Sequence, residues 1–315
     1  MVGDRSRVPG PPRGAAARVW STDRVLTRVA VGRARVVREI RAAAPLLADL
    51  AVPVTARGPW LTAALDLPPR GPARSGTVRA VVVEKHPQGR PDGLALLSVR
   101  RRGPVTAVHL LGGGPGTGPL PEGRPTARLP ARDDDVAAAL ARGVLDLLST
   151  VRGPWTLQLS GLPMGDPTLR HLGALLTAAR VPAGHATDRS RVLVDELDAV
   201  GEVHRSRDPR ELDRRLPALL ARLPAGDRRF ARTAARVHAA LGELELAVVP
   251  GAGAAEPAAA LLSFVQGVDR WPWWGFSDVG GLRTERGAPR VSLSASAGLR
   301  VDLTGRLWQL AGRWR

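Results

Sequence analysis

The sequence predicts an α/β protein made of two similar units, each a pair of helices followed by antiparallel strands. Apolar residues recur at helical spacing in some segments and form short β-branched runs in others. One apolar phrase also occurs twice. Ala80-Val81-Val82 precedes Ala95-Leu96-Leu97-Ser98, and Ala247-Val248-Val249 precedes Ala260-Leu261-Leu262-Ser263. At 315 residues and 44% hydrophobic content, the chain is long enough to fill two cores.

The first unit follows a predicted flexible leader, residues 1–20, in which Pro, Gly and Arg show no periodicity. Helical spacing runs from Arg33 until Pro45 interrupts it, and Pro59 suits the first turn of a second helix. Strands are predicted at 78–84, 94–99 and 105–111. Carboxylates at 133–135 then favour the start of a helix over 136–149, before a strand at 155–159, a helix at 166–179 and a strand at 191–194.

The same order of elements starts again after Gly201. Helices are predicted at 209–223 and 227–241, and strands at 244–249 and 259–265. Next comes Trp271-Pro272-Trp273-Trp274-Gly275-Phe276, which holds four of the eleven aromatic residues in the chain. We therefore predict an N-terminal lobe over 21–200 and a shorter C-terminal lobe over 201–315.

The composition limits the cellular setting and the chemistry. The chain has no cysteine, which excludes disulfides, thiolate nucleophiles and Cys-ligated metals. It shows neither a secretory signal nor an apolar run of about 18 residues, so we expect a protein of the cytoplasm, in keeping with a bacterium. The six histidines never pair at metal-ligand spacing, and Lys85 is followed by His86 rather than by the hydroxyl residue of a P-loop. We therefore predict no metal site.

The net charge of +17 raises the question of nucleic-acid binding. Lys85 is the one lysine among 46 basic residues, a bias that GC-rich codons produce whatever the function. The densest arginine-rich stretch, 205–236, has Phe230 as its one aromatic residue that could stack on a base. A solvated arginine face is therefore favoured over a nucleic-acid surface, which stays as an alternative.

A helix pair, antiparallel strands, then a helix and a further strand is an order that resembles the GNAT N-acyltransferase superfamily. The chain is most similar to its two-lobed bacterial type linked to cellulose biosynthesis. Matching stretches are 44–65, 78–111, 130–175 and 242–279, with the phrases Leu110-Leu111-Gly112 and Leu159-Ser160-Gly161-Leu162-Pro163. The resemblance implies two tandem GNAT-like lobes with mixed, mostly antiparallel sheets flanked by helices, the second lobe abbreviated. It also implies transfer of an acyl group from acetyl-CoA or another acyl-CoA to a small or envelope-related amine.

The family binds the CoA pyrophosphate at a Gln/Arg-x-x-Gly-x-Gly/Ala loop that opens a helix, and this sequence has no clean copy of it. The stretch 100–105 ends in Val, and three carboxylates at 133–135 would repel an anion at the helix of the first lobe. In the second lobe, the basic and turn-like stretch 283–290 takes the corresponding place. Its candidate cofactor-binding residues are Arg283, Arg286, Gly287 and Arg290.

The resemblance directs attention to the aromatic cluster as an acceptor pocket, lined by Trp271, Trp273, Trp274 and Phe276. Strand alternation puts Trp271 and Trp273 on one face and Trp274 on the other, which packing between lobes also explains. Asp269 and Asp278 flank the cluster and are the candidate catalytic carboxylates, with turn formation as the alternative. An active second lobe should show an open V between two parallel strands beside Trp273. An inactive GNAT-fold protein with a Trp-lined binding cleft is the rival function.

Overall fold

The computed structural model describes residues 25–67, 76–86, 89–114, 116–121, 123, 126–251 and 256–298. Within these ranges the chain forms a seven-stranded mixed sheet and a four-stranded antiparallel sheet, both flanked by helices. The predicted fold class, an α/β protein of two lobes with the second abbreviated, is confirmed. No helix in the described part of the chain is long and apolar enough to span a bilayer.

The first lobe follows the predicted order, with one additional strand at its start and one additional short helix that contains Pro45. Its elements are β1 (Leu26–Val31), α1 (Arg33–Ala42), α2 (Ala44–Asp49), α3 (Gly58–Leu65), β2 (Thr77–Glu84), β3 (Gly93–Arg102), β4 (Val105–Leu110), α4 (Asp134–Ser149), β5 (Trp155–Pro163), α5 (Pro167–Ala178) and β6 (Ala183–Asp195). Pro59 lies in the first turn of α3, as expected, whereas Pro45 lies in the first turn of α2, a helix that was not predicted. The Asp133 carboxylate caps α4 by accepting a hydrogen bond from the Val136 amide at 3.0 Å.

The second lobe repeats the strand, the helix pair and the strand meander. Its elements are β7 (His204–Ser206), α6 (Pro209–Ala221), α7 (Ala225–Ala240), β8 (Leu244–Pro250), β9 (Pro257–Gln266), β10 (Asp269–Ser277) and β11 (Leu282–Ala297). The repeated phrase occupies equivalent positions, since Val81 pairs with Ala95 in one sheet and Val248 with Ala260 in the other. This matching register supports an internal duplication.

The last described strand leaves the second lobe and enters the first sheet. The order of that sheet is β1-β2-β3-β4-β5-β11-β6, whereas the second sheet contains β7 to β10 in chain order. The prediction of a turn-like stretch at 283–290 is therefore wrong, because these residues form the first half of β11. Gly287, Ala288 and Pro289 resemble a turn in sequence, but they lie where the pairing of β11 with β6 is irregular.

Helix α3 takes part in the cores of both lobes. Leu61 and Leu65 pack with α1, α2 and the strands β2 and β3. Trp60, Ala63 and Ala64 instead pack with α6, α7 and the strands of the second sheet. A third core lies on the opposite face of the first sheet, beneath α4 and α5. Because one short helix contributes to two cores, the lobes are packed together rather than merely linked.

Two buried carboxylates share a single guanidinium on the first sheet. Arg28 Nη1 lies 2.6 Å from Glu39 Oε1, and Arg28 Nη2 lies 2.6 Å from Glu84 Oε1. Both glutamates are buried, whereas Arg28 is half-exposed. Removing one member of such a group leaves the others charged and unpaired, which is strongly destabilising.

We predict that Arg28→Met lowers the free energy of unfolding by about 2 to 4 kcal/mol, somewhat less than for a fully buried group because Arg28 itself is half-exposed. Arg33→Met is the matched control, since Arg33 pairs with Asp66 at 3.1 Å on the surface and should contribute less than about 1 kcal/mol. Urea denaturation of the three proteins measures both values. Equal losses in the two variants would contradict the predicted role of Arg28.

Candidate functional site

The first sheet contains the one parallel strand pair found in the described residues. Residues 106–109 of β4 pair with 155–158 of β5, and β4 then ends while β5 continues to Pro163. In open α/β sheets, ligands bind beyond the carboxyl ends of such strands, where the connectivity changes direction. The first lobe, rather than the expected second lobe, therefore contains the candidate position for a site.

The chain itself fills the space beyond the end of β4. The Ala127 amide donates to the Gly161 carbonyl of β5 at 3.0 Å, and the Leu94 amide of β3 donates to the Pro130 carbonyl at 2.9 Å. The remaining void, next to Leu110, is about 30 Å³, far below the roughly 300–1,000 Å³ of small-molecule sites. The sheet is therefore closed between β4 and β5, and the open space lies on the outer side of residues 126–128.

That open space is a cavity of about 350 Å³ between the two lobes, which we name the interlobe cleft. It lies at the carboxyl end of β5 and has walls from both lobes. Polar and apolar side chains share its lining, including Thr55, Arg57, Thr126, Arg128, Pro163, Phe264 and Trp271. Its volume is in the range of small-molecule sites.

The loop between α2 and α3 shapes one wall of the interlobe cleft. Arg57 Nε donates to the Val52 carbonyl at 3.0 Å, Arg128 donates to the Leu50 carbonyl, and the Thr55 hydroxyl donates to the Thr126 carbonyl. Ala51 has a φ of +45°, a conformation that non-glycine residues adopt where the surrounding structure enforces it, often at ligand sites. Both guanidinium groups are therefore held by backbone carbonyls between α2 and α3.

A second cavity, of about 430 Å³, adjoins the interlobe cleft and shares Ala51 and Arg57 with it. Helices α1 to α3 form most of its walls, with Arg41 and Thr62 as polar residues, and Gln266 reaches it from the second lobe. Two cavities on either side of one loop give room for two ligands at adjacent positions.

Two tryptophans of the cluster have different positions: Trp273 is buried in the core, and Trp271 lines the interlobe cleft. Trp273 is 3% exposed, stacks on Phe264 at 5.0 Å between ring centroids, and donates from Nε1 to the Pro119 carbonyl at 2.8 Å. Trp271 lines the interlobe cleft. No open V lies beside Trp273, because β10 has β9 as its one partner among the described strands of the second sheet.

The predicted alternation of these side chains is wrong at Trp274. A bulge between Pro272 and Trp274 adds a residue to β10, so that Trp271 pairs with Phe264 and Trp274 with Leu262. Phe264 and Leu262 lie two apart on the same face of β9, and Trp271 and Trp274 therefore share that face.

Phe276 and the two candidate carboxylates lie outside the interlobe cleft. The Phe276 ring is 4.8 Å from the guanidinium carbon of Arg222, which also pairs with Asp278 at 2.9 Å. Asp269 is exposed at the opposite end of β10. The nine-residue separation of Asp269 and Asp278 corresponds to roughly 30 Å of strand, so the structure does not bring them together.

The candidate cofactor-binding residues lie on β11, with no helix following them in the described chain. Arg283 pairs with Glu196 at 2.7 Å and with Glu285. Arg290 pairs with Asp188 and holds the pKa of that carboxyl below its usual range. Arg286 lies opposite Arg191 in the ladder, and a Cβ atom at Gly287 would come 2.4 Å from Ser190 Oγ. The segment thus forms a hydrogen-bonded strand, closely packed at Gly287, rather than a loop that opens toward an anion.

The helix start that follows β4 carries negative charge. Asp133 caps α4 and pairs with Lys85, which lowers the pKa of the Asp133 carboxyl. Asp134 forms a hydrogen bond with His171 at 3.0 Å and an ion pair with Arg170 at 2.6 Å. With its first amides occupied and these carboxylates in place, the N-terminus of α4 does not offer a diphosphate cradle.

One group with unusual chemistry was missed by the sequence reasoning. His109, at the end of the parallel pairing, has a buried Nε2 atom without a hydrogen-bond partner among the described residues. Burial, with Arg102 and Arg100 as lesser causes, lowers the pKa of His109 to about 4. No sequence signal marks this, because the cause is the packing around β4.

The comparisons with known proteins find similarity to solved structures only. No protein-family model matches the sequence, and no curated protein matches it. A tandem GNAT protein from the clavulanic acid biosynthesis pathway is 14% identical, with 87% of this chain and 100% of that chain covered and a TM-score of 0.40. A GCN5-related N-acetyltransferase from Sphaerobacter thermophilus is 13% identical, with 88% and 98% covered and a TM-score of 0.30.

A third structural neighbour is a GCN5-related glucosamine N-acetyltransferase region in a fungal multi-domain GH3 β-N-acetylglucosaminidase. It is 12% identical, with a TM-score of 0.32, and the match covers 78% of this chain but 28% of that one. All three neighbours are described as GNAT proteins. At TM-scores under 0.5, the likeness carries no inference about the chemistry of the site.

We predict that Trp273→Ala lowers the free energy of unfolding by about 3 to 5 kcal/mol, because it empties a buried aromatic position. Trp271→Ala should lower it by less than about 2 kcal/mol, since Trp271 is half-buried at the wall of the interlobe cleft. Denaturant titration followed by far-UV circular dichroism measures both. The opposite ranking would show that Trp271, rather than Trp273, is the packing residue.

We also predict that His109 makes stability fall as the pH is lowered. Below a pH of about 6.5 the unfolded chain protonates this imidazole, whereas the native protein does so near pH 4. Between pH 7 and pH 5 this difference removes about 2 kcal/mol of stability. His109→Gln should have a correspondingly flatter profile of unfolding free energy against pH, and an unchanged slope would contradict the assignment.

Proposed function

We propose that the protein is an N-acyltransferase that joins an acyl thioester and a small amine in the interlobe cleft. The observation that carries the proposal is the position of this cleft, at the carboxyl end of the parallel strand pair and directly beside a second cavity that shares Arg57. A transfer reaction needs two adjacent ligand positions, and the structure offers them on either side of one loop.

The proposed reaction is direct. The amine lone pair attacks the thioester carbonyl carbon, a C–N bond forms, the C–S bond breaks, and the sulfur leaves as the thiol with the proton that the amine gives up. Of the described residues that line the interlobe cleft, none is Asp, Glu or His, so water carries the proton. The contribution of the protein is to hold two reactants close together and oriented.

The proposal reassigns the site. Trp271 keeps its proposed role as an acceptor wall, joined by Thr55, Arg57, Thr126 and Arg128. Asp269, Asp278 and the β11 arginines lie elsewhere and have ion-pair partners or exposed positions of their own. Proposed catalysis therefore depends on positioning by the cleft rather than on these side chains.

Acetyl-CoA or another acyl-CoA is the donor that the family resemblance implies. The residues at the start of α4 do not fit its diphosphate, and residues 126–130 fill the space beyond β4. These two observations favour a second candidate function, an inactive GNAT-fold protein that binds one ligand in the same cleft.

A pair of thioesters distinguishes these functions. We predict turnover with S-acetyl-N-acetylcysteamine, which has the thioester arm without the nucleotide, at a kcat/KM within about tenfold of that for acetyl-CoA, because no diphosphate cradle exists at α4. Release of thiol, measured with a chromogenic thiol reagent and a panel of small amines, is the readout. Ligand-dependent thermal stabilisation without thiol release from either donor would establish the binding protein instead.

A further inference from the structure

We propose that the interlobe cleft selects amines that also carry a carboxylate, that is, amino acids with an apolar side chain. The role of such an amino acid as acyl acceptor rests on the proposed function, since the site is the same. The preference for a carboxylate is a binding property that can be measured without turnover. The charges, donors and shape of the cleft support this choice.

The charged residues that line the interlobe cleft, among those the structure describes, are all positive. Arg57 and Arg128 contribute two positive charges, and the described lining residues include no Asp or Glu. Two threonines, Thr55 and Thr126, also line the cleft. A cavity with this lining attracts an anion and disfavours a second cation.

The two guanidinium groups are positioned before any ligand arrives. Arg57 uses Nε on the Val52 carbonyl, and Arg128 uses one terminal nitrogen on the Leu50 carbonyl. A guanidinium has five N–H donors, so one such bond restrains it and leaves donors for a planar carboxylate. Less ordering is then needed on binding, which favours affinity.

Two described acidic groups that interact with these arginines are engaged elsewhere. Glu243 is close enough to feel the charge of Arg57, but its carboxylate accepts from His238 at 2.9 Å. Asp166, which feels Arg128, is buried as the cap of α5 and accepts from the Leu169 amide at 3.0 Å. Neither carboxylate lines the interlobe cleft, so the local positive charge is available to a ligand.

The remaining wall is apolar and aromatic. Pro163, Phe264 and Trp271 face the same cavity as the two arginines. About 350 Å³ accommodates a small amino acid derivative with an apolar side chain. An anionic end and an apolar body in one ligand therefore match the two halves of the lining.

The test measures equilibrium binding of L-phenylalanine and L-phenylalaninamide, which differ in the carboxylate alone. Calorimetry on the full chain at pH 6, where the α-amines of both compounds are protonated, should show that phenylalanine binds about ten- to a hundredfold more tightly, the range expected for hydrogen bonds to a charged group. Arg128→Gln and Arg57→Gln should each lose most of this preference. The control Arg232→Gln removes the same charge from the exposed face of α7 and should keep the preference.

Inorganic phosphate and CoA are added as competitors to distinguish a carboxylate site from a phosphate site. Failure of both to displace phenylalanine at tenfold higher concentration supports the proposal, and displacement by either overturns it. Equal affinity for phenylalanine and its amide also overturns it. Arg128→Lys, checked for folding by circular dichroism, keeps the charge and should retain part of the preference even if Arg128→Gln is unstable.

The outcomes separate this inference from the proposed function. Carboxylate preference in a protein that transfers no acyl group supports the inference and rejects the transferase. Acyl transfer to phenylalanine and phenylalaninamide at equal kcat/KM rejects the inference and leaves the transferase standing.

Discussion

The packing of Trp60 into the second lobe is the constraint on which the interlobe cleft depends. Its side chain, on α3 of the first lobe, is fully buried, and its indole nitrogen donates to the Gly112 carbonyl at 3.0 Å. Its ring makes edge contacts with Phe230, Phe264 and Trp273 of the second lobe at 4.7 to 6.2 Å. Such aromatic clusters combine a large buried area with defined ring geometry. The cleft has fixed walls because this cluster fixes one lobe against the other.

The duplicated unit is used differently in the two lobes. In the first lobe, the meander is followed by α4 and a parallel strand, which creates a carboxyl-end edge where a ligand can bind. In the second lobe, the chain leaves after β10, and the following strand completes the first sheet. The second lobe therefore supplies walls, in Phe264 and Trp271, to a site whose strand ends belong to the first.

Much of the fold could be predicted because local signals agree with it. The cap at Asp133 and the proline at 59 set helix starts within a few residues. Strand β11 was missed because Gly287 and Pro289 are turn residues in most contexts, and its pairing depends on β5 and β6, whose paired residues lie 87 to 142 positions earlier in the chain. The bulge at Trp273 and the presence of Arg57 and Arg128 in one cavity lining have no local signature, since both arise from the packing of distant segments.

The path of β11 has a consequence for how the molecule can be divided. Its hydrogen bonds to β5 and β6 hold together a sheet whose other strands precede residue 196. A fragment that stops before the second lobe would expose the edges of two strands normally joined through a third, a template for aggregation. The halves of this duplicated chain, although each has its own core, are thus tied into one cooperative folding unit by a single returning segment.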